Sequence, residues 1–335
     1  MKVLLTGGMG YIGSHIAVEL LARDIDVVII DNLSNSKKKV KDMIEKISGK
    51  SLSFYNVDVC NKEKLSLAFS KEKGIDAVIH LAGFKSVEES ILTPLAYYRN
   101  NLDAFMALLE VMEENQVNNL IFSSSATVYG QCEENTFTEE FMTGNCSNPY
   151  GWTKYMIEQI IFDYCRANPQ FHSIILRYFN PVGAHPSGLI GESPNGSPNN
   201  LMPIICGVAS GEFKELKIYG FDYPTNDGTA IRDYIHVVDL ADAHCVALDY
   251  CISHIGVDVF NIGTGKGYSV LDIVNSFEKT NGIKIPYRMA ERRSGDVSIS
   301  CADVNKAKHI LGWEAKYGID DMVRDAWNFQ KRRSK

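Results

Sequence analysis

Tyr150 and Lys154 stand four residues apart in the run Pro149-Tyr150-Gly151-Trp152-Thr153-Lys154-Tyr155-Met156-Ile157-Glu158-Gln159-Ile160-Ile161. The later part of that run has the apolar spacing of a helix and good helix formers. On a helix, residues four apart share a face, so the spacing predicts a phenol beside an ammonium. The positive charge favours phenolate and lowers a pKa that is ordinarily about 10. A phenolate at neutral pH takes a proton from an alcohol, which is half of an alcohol oxidation. The spacing alone also describes a solvated helix face. Its meaning rests on the elements that would place an oxidant beside it.

Those elements begin at residue 2. Lys2-Val3-Leu4-Leu5-Thr6 reads as a short buried strand, and Ser14-His15-Ile16-Ala17-Val18-Glu19-Leu20-Leu21 as the opening of a helix. Between them lies Gly7-Gly8-Met9-Gly10-Tyr11-Ile12-Gly13, with Gly7, Gly10 and Gly13 three apart. A glycine turn lets the backbone approach a pyrophosphate, whose charge then sits at the helix N-terminus. Asp26-Val27-Val28-Ile29-Ile30-Asp31 is the next apolar strand, and Asp31 follows Gly13 by 18 residues. That spacing suits a carboxylate on the adenine ribose hydroxyls. It repels a 2′-phosphate, so NAD is the expected cofactor rather than NADP. Lys37, Lys38 and Lys39 lie near enough to soften that preference, and also read as a solvated helix start.

The chain has 335 residues, 45% apolar and 22% charged, with a formal net charge of -7. These are globular values with room for one large or two moderate domains. The negative balance gives no footprint for nucleic acid or an anionic membrane surface. No apolar run approaches the roughly 18 residues that a membrane helix needs, and the first residues form a strand rather than a leader. The eight cysteines, Cys60, Cys132, Cys146, Cys165, Cys206, Cys245, Cys251 and Cys301, include no Cys-x-x-Cys pair. That usage fits reduced thiols in a cytoplasmic protein without a metal site.

Strands are expected over Ser51–Val57, Ala77–Ala82, Leu120–Ser123 and Ser173–Tyr178, separated by helices. The longest helix is expected over Pro94–Asn115. This alternation predicts an α/β fold with a doubly wound parallel sheet of Rossmann type. Ligands in such sheets sit at the carboxyl ends of the strands. Pro181–Asn200 has no helical period and reads as a long linker or binding loop. Helices are expected near Leu201–Gly211, Val238–Ser253, Ser269–Lys279 and Asp320–Gln330. The predicted division is residues 1–180 as the dinucleotide domain, with a segment near 235–262 returning to it. Residues 181–335 then form a smaller mixed α/β substrate domain.

Five motifs occur in order: Thr6-Gly7-Gly8-Met9-Gly10-Tyr11-Ile12-Gly13-Ser14-His15, Ser123-Ser124-Ser125-Ala126-Thr127-Val128-Tyr129-Gly130, Tyr150-x-x-x-Lys154, Arg177-Tyr178-Phe179-Asn180-Pro181-Val182-Gly183-Ala184 and Arg232-Asp233-Tyr234-Ile235-His236-Val237. On these the chain resembles the extended short-chain dehydrogenase/reductases, in particular the UDP-galactose 4-epimerase family, essentially end to end. The resemblance implies that Tyr150 takes the proton from a sugar 4-hydroxyl and that Ser125 hydrogen-bonds that oxygen. It implies that Lys154 binds the nicotinamide ribose and keeps Tyr150 acidic, aided by the positive nicotinamide ring. It places Gly7, Gly10, Tyr11, Ile12, Gly13, Asp31, Asn32, Asp58, Val59, Leu81, Ala82, Gly83, Lys85, Asn100, Ser123 and Tyr178 on NAD. It places Asn180, Asn200, Leu201, Tyr219, Arg232, Arg293, Asp296 and Ser300 around a UDP-sugar. Arg232 and Arg293 would take the diphosphate, a role suited to their forked donors, although each also reads as a surface ion pair. Asp233 and His236 read as structural, pairing within their own loop.

Ser300 stands where family members restricted to UDP-glucose and UDP-galactose carry a tyrosine. A small residue there implies room for an acetamido group, and hence activity on UDP-GlcNAc and UDP-GalNAc. A neutral strand substitution is the other reading. A nucleotide-sugar dehydratase would need carboxylates where this chain has Ala126 and Thr127. A net reductase would consume free NADPH, which Asp31 disfavours. A nucleotide-binding sensor would not need Ser125, Tyr150 and Lys154 together. By analogy with relatives, a homodimer is expected through the helices near Pro94–Asn115 and Tyr150–Ala167.

Overall fold

Short apolar strands and helices alternate from the first residue. A computed structural model describes residues 1–130, 135–196, 198–293 and 296–333. In order come β1 (Lys2–Thr6), α1 (Tyr11–Ala22), β2 (Asp26–Ile30), α2 (Lys39–Ser48), β3 (Ser53–Tyr55), α3 (Lys62–Lys71) and β4 (Ala77–His80). They are followed by α4 (Val87–Leu92), α5 (Pro94–Tyr98), α6 (Ala104–Glu114), β5 (Asn119–Ser125), β6 (Thr136–Phe137), α7 (Pro149–Ala167), β7 (His172–Tyr178) and β8 (Asn180–Val182). The remainder holds α8 (Leu201–Ala209), β9 (Leu216–Tyr219), β10 (Ile231–His236), α9 (Val237–Ser253), β11 (Val257–Ile262), β12 (Gly267–Ser269), α10 (Val270–Asn281), β13 (Tyr287–Ala290), β14 (Ile299–Ala302) and α11 (Ile319–Arg333).

Two compact units result. The first comprises Met1–Gly130, Met142–Arg177 and Ala241–Phe260; the second comprises Gln131–Phe141, Tyr178–Leu240 and Asn261–Lys335. The first is built on a seven-stranded sheet in the order β11-β7-β5-β4-β1-β2-β3. The pairs β1·β2, β1·β4, β2·β3 and β4·β5 are parallel. From β1 the chain winds outward to β3, then returns to the other side of β1 as β4. The carboxyl ends of β1 and β4 are therefore the point of reversal, where ligands of such sheets bind. Leu4, Val28, Val78, Leu120 and Ile175 bury the strand faces against Leu65, Phe105, Leu108 and Ile157 of the helices.

Two expected elements differ in extent. The strand expected over Ser51–Val57 pairs only at Ser53–Tyr55, because β3 is the sheet edge with a partner on one side. The helix expected over Pro94–Asn115 is interrupted by a π-helical turn at Arg99–Asp103, where Asn101 is buried at 2% exposure.

The second unit carries a five-stranded sheet in which β10 is central, flanked by β12, β14 and β8, with β6 beyond β14. The strand β6 was not anticipated. Two residues carry no readable period, and only the pairing Cys301↔Thr136 and Ala302↔Phe137 makes them a strand. The core packs Met202 and Ile205 of α8, Ile273 and Phe277 of α10, and Met322 and Val323 of α11 against Ile218 and Tyr234. The seven described cysteines are free thiols; Cys132 lies outside the described residues. No helix among the described residues is long and apolar enough to cross a membrane.

Candidate active site

The turn after β1 is closed by Gly7, whose amide donates to the Ile30 carbonyl at 2.8 Å and whose carbonyl accepts from the Gly10 amide at 3.1 Å. Gly7 has φ +71°. A Cβ there would lie 2.8 Å from the Ala82 nitrogen, and one on Gly13 would lie 2.5 Å from the Gly7 carbonyl oxygen. Both contacts are with backbone, which cannot swing aside. Helix α1 has no side-chain cap at Gly10 and no acid in its first turn, so its amide end suits an anion. Tyr11 and Ile12 open this helix.

Asp31, 8% exposed at the end of β2, accepts from the Met9 amide at 3.0 Å, the Leu33 amide at 2.8 Å and the Ser36 hydroxyl at 2.9 Å. The carboxylate thus holds the glycine turn in place. Its oxygens offer about four acceptor positions, so capacity remains for a ribose hydroxyl. Asn32 donates to Asp58 at 3.2 Å, next to buried Val59. These residues fit a dinucleotide: backbone cleared by glycines, an uncapped helix end and an acid at the adjacent strand end. Gly13→Ala is expected to weaken NAD binding at least about tenfold with the fold retained, measured by fluorescence titration and circular dichroism. Unchanged affinity would remove the glycine turn from the binding site.

At the end of β4, His80 is buried and pushed down to about 3 by burial, with the Lys154 charge adding to the effect. It is therefore neutral. The Thr6 hydroxyl is 2.8 Å from His80 Nδ1 and accepts from the Leu81 and Ala82 amides at 3.3 Å each. This seats Leu81, Ala82 and Gly83 beside the glycine turn. Lys85 is exposed beyond them. Asn101 then ties this loop to α7. Its amide bonds both the NH and the CO of Phe84 at 2.8 and 3.1 Å, donates to the Thr153 hydroxyl at 3.0 Å, and accepts from Asn100 at 3.0 Å.

Tyr150 and Lys154 lie on the first turns of α7, capped by Asn148, which accepts from the Gly151 amide at 2.9 Å. The Lys154 ammonium does not bond the phenol. It donates to the Ser123 carbonyl at 2.5 Å and lies 5.9 Å from the centre of the Tyr150 ring. Ser125, at the end of β5, stands close enough to the phenol to favour its ionised form. The expected acidification of Tyr150 does not follow from these groups. Burial pushes the phenol up to about 12, with the nearby Ser125 opposing it. Burial also lowers Lys154 to about 8, opposed by the charge of Glu158. In a low-dielectric site the loss of hydration exceeds what a cation at this distance returns.

Glu158 is fully buried one turn beyond Lys154. It accepts from the Ser124 hydroxyl at 2.5 Å and from Arg177 at 2.7 and 3.1 Å, and Arg177 donates to the Tyr129 hydroxyl at 3.1 Å. This network fixes both residues flanking Ser125 in position: Ser124 directly, and the turn at Ala126–Tyr129 through Tyr129. Sequence reasoning assigned no role to Glu158, Arg177, Asn101 or Thr6. For Glu158 and Arg177 the available signal was a charge at a position whose period places it inside a helix or strand; Asn101 and Thr6, being neutral, gave none.

In the second unit β10 gathers Ser300, Arg232, Asn180 and Asp296 among the predicted substrate residues. Arg232 is in register with Ser300 of β14, and Tyr234 with Asn180 of β8. Alternate residues of a strand share a face, so Ser300, Arg232 and Asn180 lie along one face. Asp296 joins the arginines, 3.8 Å from Arg232 Nη2 and 3.0 Å from Arg293 Nε. Arg293 lies 5.1 Å over the Tyr219 ring. Asn200 turns toward Glu192 at 2.6 Å, ahead of Leu201 at the start of α8. Tyr178 is buried at the end of β7. Asp233 does not pair within its loop. It accepts from the Thr264, Gly265 and Ala302 amides at 2.8, 2.9 and 3.2 Å and from the Thr264 hydroxyl at 2.7 Å. His236 faces Asp325 at 3.4 Å. His236 also accepts from the Val238 amide at 3.1 Å, so it does pair within its own segment, whereas the Asp233 partners are distant in sequence.

The model of the NAD dependent epimerase/dehydratase family matches residues 3–263. The UDP-glucose 4-epimerase of Bacillus subtilis is 52% identical over 330 residues, 98% of this chain and 97% of the relative. The crystal structure of UDP-glucose 4-epimerase from Bifidobacterium longum, in complex with NAD+ and UDP, superposes with a TM-score of 0.96 at 47% identity, covering 100% of this chain and 99% of that one. The UDP-Glc/GlcNAc 4-epimerase of Campylobacter jejuni superposes with a TM-score of 0.86 at 35% identity, covering 99% of each chain. The chain belongs to the NAD dependent epimerase/dehydratase family and, within it, to the UDP-glucose 4-epimerases of the extended short-chain dehydrogenase/reductase type.

Proposed function

We propose that this chain is an NAD-dependent UDP-hexose 4-epimerase that interconverts UDP-glucose with UDP-galactose and also UDP-GlcNAc with UDP-GalNAc. The observation that carries the reading is Tyr150 and Lys154 one turn apart on α7, the Lys154 ammonium held on the Ser123 carbonyl 5.9 Å from the centre of the Tyr150 ring. When bound, NAD accepts the hydride of sugar C4 and returns it to the opposite face, and its positive ring favours the Tyr150 phenolate. Tyr150 takes the proton of the 4-hydroxyl as C4 becomes a ketone, and gives it back on reduction. Ser125 bonds both the phenol and the sugar oxygen and so carries the proton between them. Lys154, steered by the Ser123 carbonyl, presents its remaining donors to the nicotinamide ribose. Proton and hydride both return to the sugar, so no net coenzyme is consumed.

The diphosphate would be held by Arg232 and Arg293, with Asp296 on the uridine ribose. The 4-keto sugar turns over while this anchor stays in place. An equilibrium assay with all four UDP-sugars, with Tyr150→Phe as blank, tests the reading. Interconversion without NADH release supports it. Stoichiometric coenzyme turnover would identify a reductase, and a 6-deoxy product a dehydratase.

Ser300, paired beside Arg232, carries the N-acetyl part of the proposal. A serine leaves open the volume that a tyrosine ring would fill. Ser300→Tyr is expected to lower kcat/KM for UDP-GlcNAc at least about a hundredfold by overpacking an acetamido group, and to spare UDP-galactose within a few-fold. Equal losses on both sugars would sink the gate. The homodimer expectation is supported by exposed Ile91, Leu92, Leu95, Met106 and Met156 on α4–α7, an apolar face that suits a helix-to-helix interface. Sedimentation equilibrium at the monomer mass would refute it.

A further inference from the structure

Tyr223 has no role in the sequence reading or in the proposal above. It is 5% exposed, yet its hydroxyl has no hydrogen-bond partner among the described residues. The ring is held firmly. Arg292 lies 4.2 Å above it, and Arg292 is itself fixed by Asp222 through Nε at 2.7 Å. The Tyr223 amide donates to the Gly228 carbonyl at 3.0 Å. Gly220 makes space for it: a Cβ at that residue, which has φ +78°, would stand 2.2 Å from the ring. Burial raises the phenol, Asp296 adds to this, and Arg232, Arg292 and Arg293 oppose it. Arg292 thus stacks on the ring, and the charges of Arg232, Arg293 and the Asp296 that bridges them act on the phenol.

A buried hydroxyl without a partner is costly and uncommon. Guanidiniums carry donors and no acceptor, so the arginines cannot satisfy the phenolic proton. What they attract is an anion, whose oxygens would accept from the phenol and the guanidiniums together. We propose that Tyr223 is a substrate-binding residue whose hydroxyl donates to a phosphate oxygen of the nucleoside diphosphate held by Arg232 and Arg293. This rests on the reading that those arginines hold the diphosphate. On it, the hydroxyl stays unpaired until the ligand arrives and contributes to diphosphate affinity alone.

The test titrates UDP and uridine into the NAD-loaded protein and its Tyr223→Phe variant. Phenylalanine keeps the ring and its Arg292 stack. The UDP Kd is expected to rise about ten- to a hundredfold, as for a lost hydrogen bond to a charged group, with uridine affinity unchanged. KM should rise with kcat within about twofold, and the ligand-free Tm should hold or increase because no unmet polar atom remains. An unchanged UDP Kd overturns the proposal, and so does equal weakening of UDP and uridine, which marks a structural role. Arg293→Met and Arg232→Met separate the two readings. If they weaken UDP and Tyr223→Phe does not, only the tyrosine proposal fails. If neither arginine variant weakens UDP, the diphosphate lies elsewhere and both readings fall.

Discussion

Tyr150→Phe is expected to lower kcat about a hundred- to ten-thousandfold, the range of a lost general acid–base group, while NAD content and thermal stability stay near wild type. The substitution removes one oxygen. The ring keeps its place on α7, whose cap is the separate bond from Asn148. The hydroxyl is the one titratable atom of Tyr150, so proton transfer is what is lost. Burial pushes this phenol up to about 12 on the groups of the chain alone. The base is the deprotonated form, so wild-type kcat should climb as pH rises toward the ionisation in the loaded enzyme. Tyr150→Phe should flatten that acid limb as well as lower it. Residual activity with a parallel pH profile would assign the base elsewhere.

Glu158→Ala is expected to cost about 3–5 kcal/mol of stability, measured by urea denaturation, because it strands a buried cation. Arg177 is 3% exposed and donates two of its hydrogen bonds to Glu158. The double variant Glu158→Met/Arg177→Met should recover most of the loss, since a buried pair contributes little over apolar packing of similar volume. Stability should not be the only readout to move. Glu158 is the charge that favours the Lys154 ammonium. Glu158→Gln therefore shifts Lys154 further below about 8, and ammonium-dependent activity should fail at a lower pH than in wild type. A single variant within about 1 kcal/mol of wild type would mean that Arg177 is not held by this carboxylate.

The parts of this protein that were legible in the sequence are those governed by neighbours along the chain. Strand and helix periods placed β1, β2, β5, β7 and the helices at α7–α11 to within a few residues, because apolar alternation is a local property. Gly7, Gly10 and Gly13 announced a close backbone approach for the same reason. Tyr150 and Lys154 were readable as one helix face because four residues make about one turn.

What the tertiary structure decided is where those groups meet others. A two-residue strand such as β6 exists only through its partner β14, and the π-helical turn at Arg99–Asp103 only where Asn101 turns inward to bond Phe84 and Thr153. The Lys154 ammonium was expected at the phenol and is found on the Ser123 carbonyl. The sign of the Tyr150 shift reversed with it, because burial is a property of the packed fold and outweighs a charge that spacing alone suggested. The glycine turn and the Tyr-Lys pair belong to the sequence. Their protonation, their hydrogen-bond partners and the buried Glu158–Arg177 pair that steadies them belong to the packing, since dielectric and distance are set only once the chain has folded.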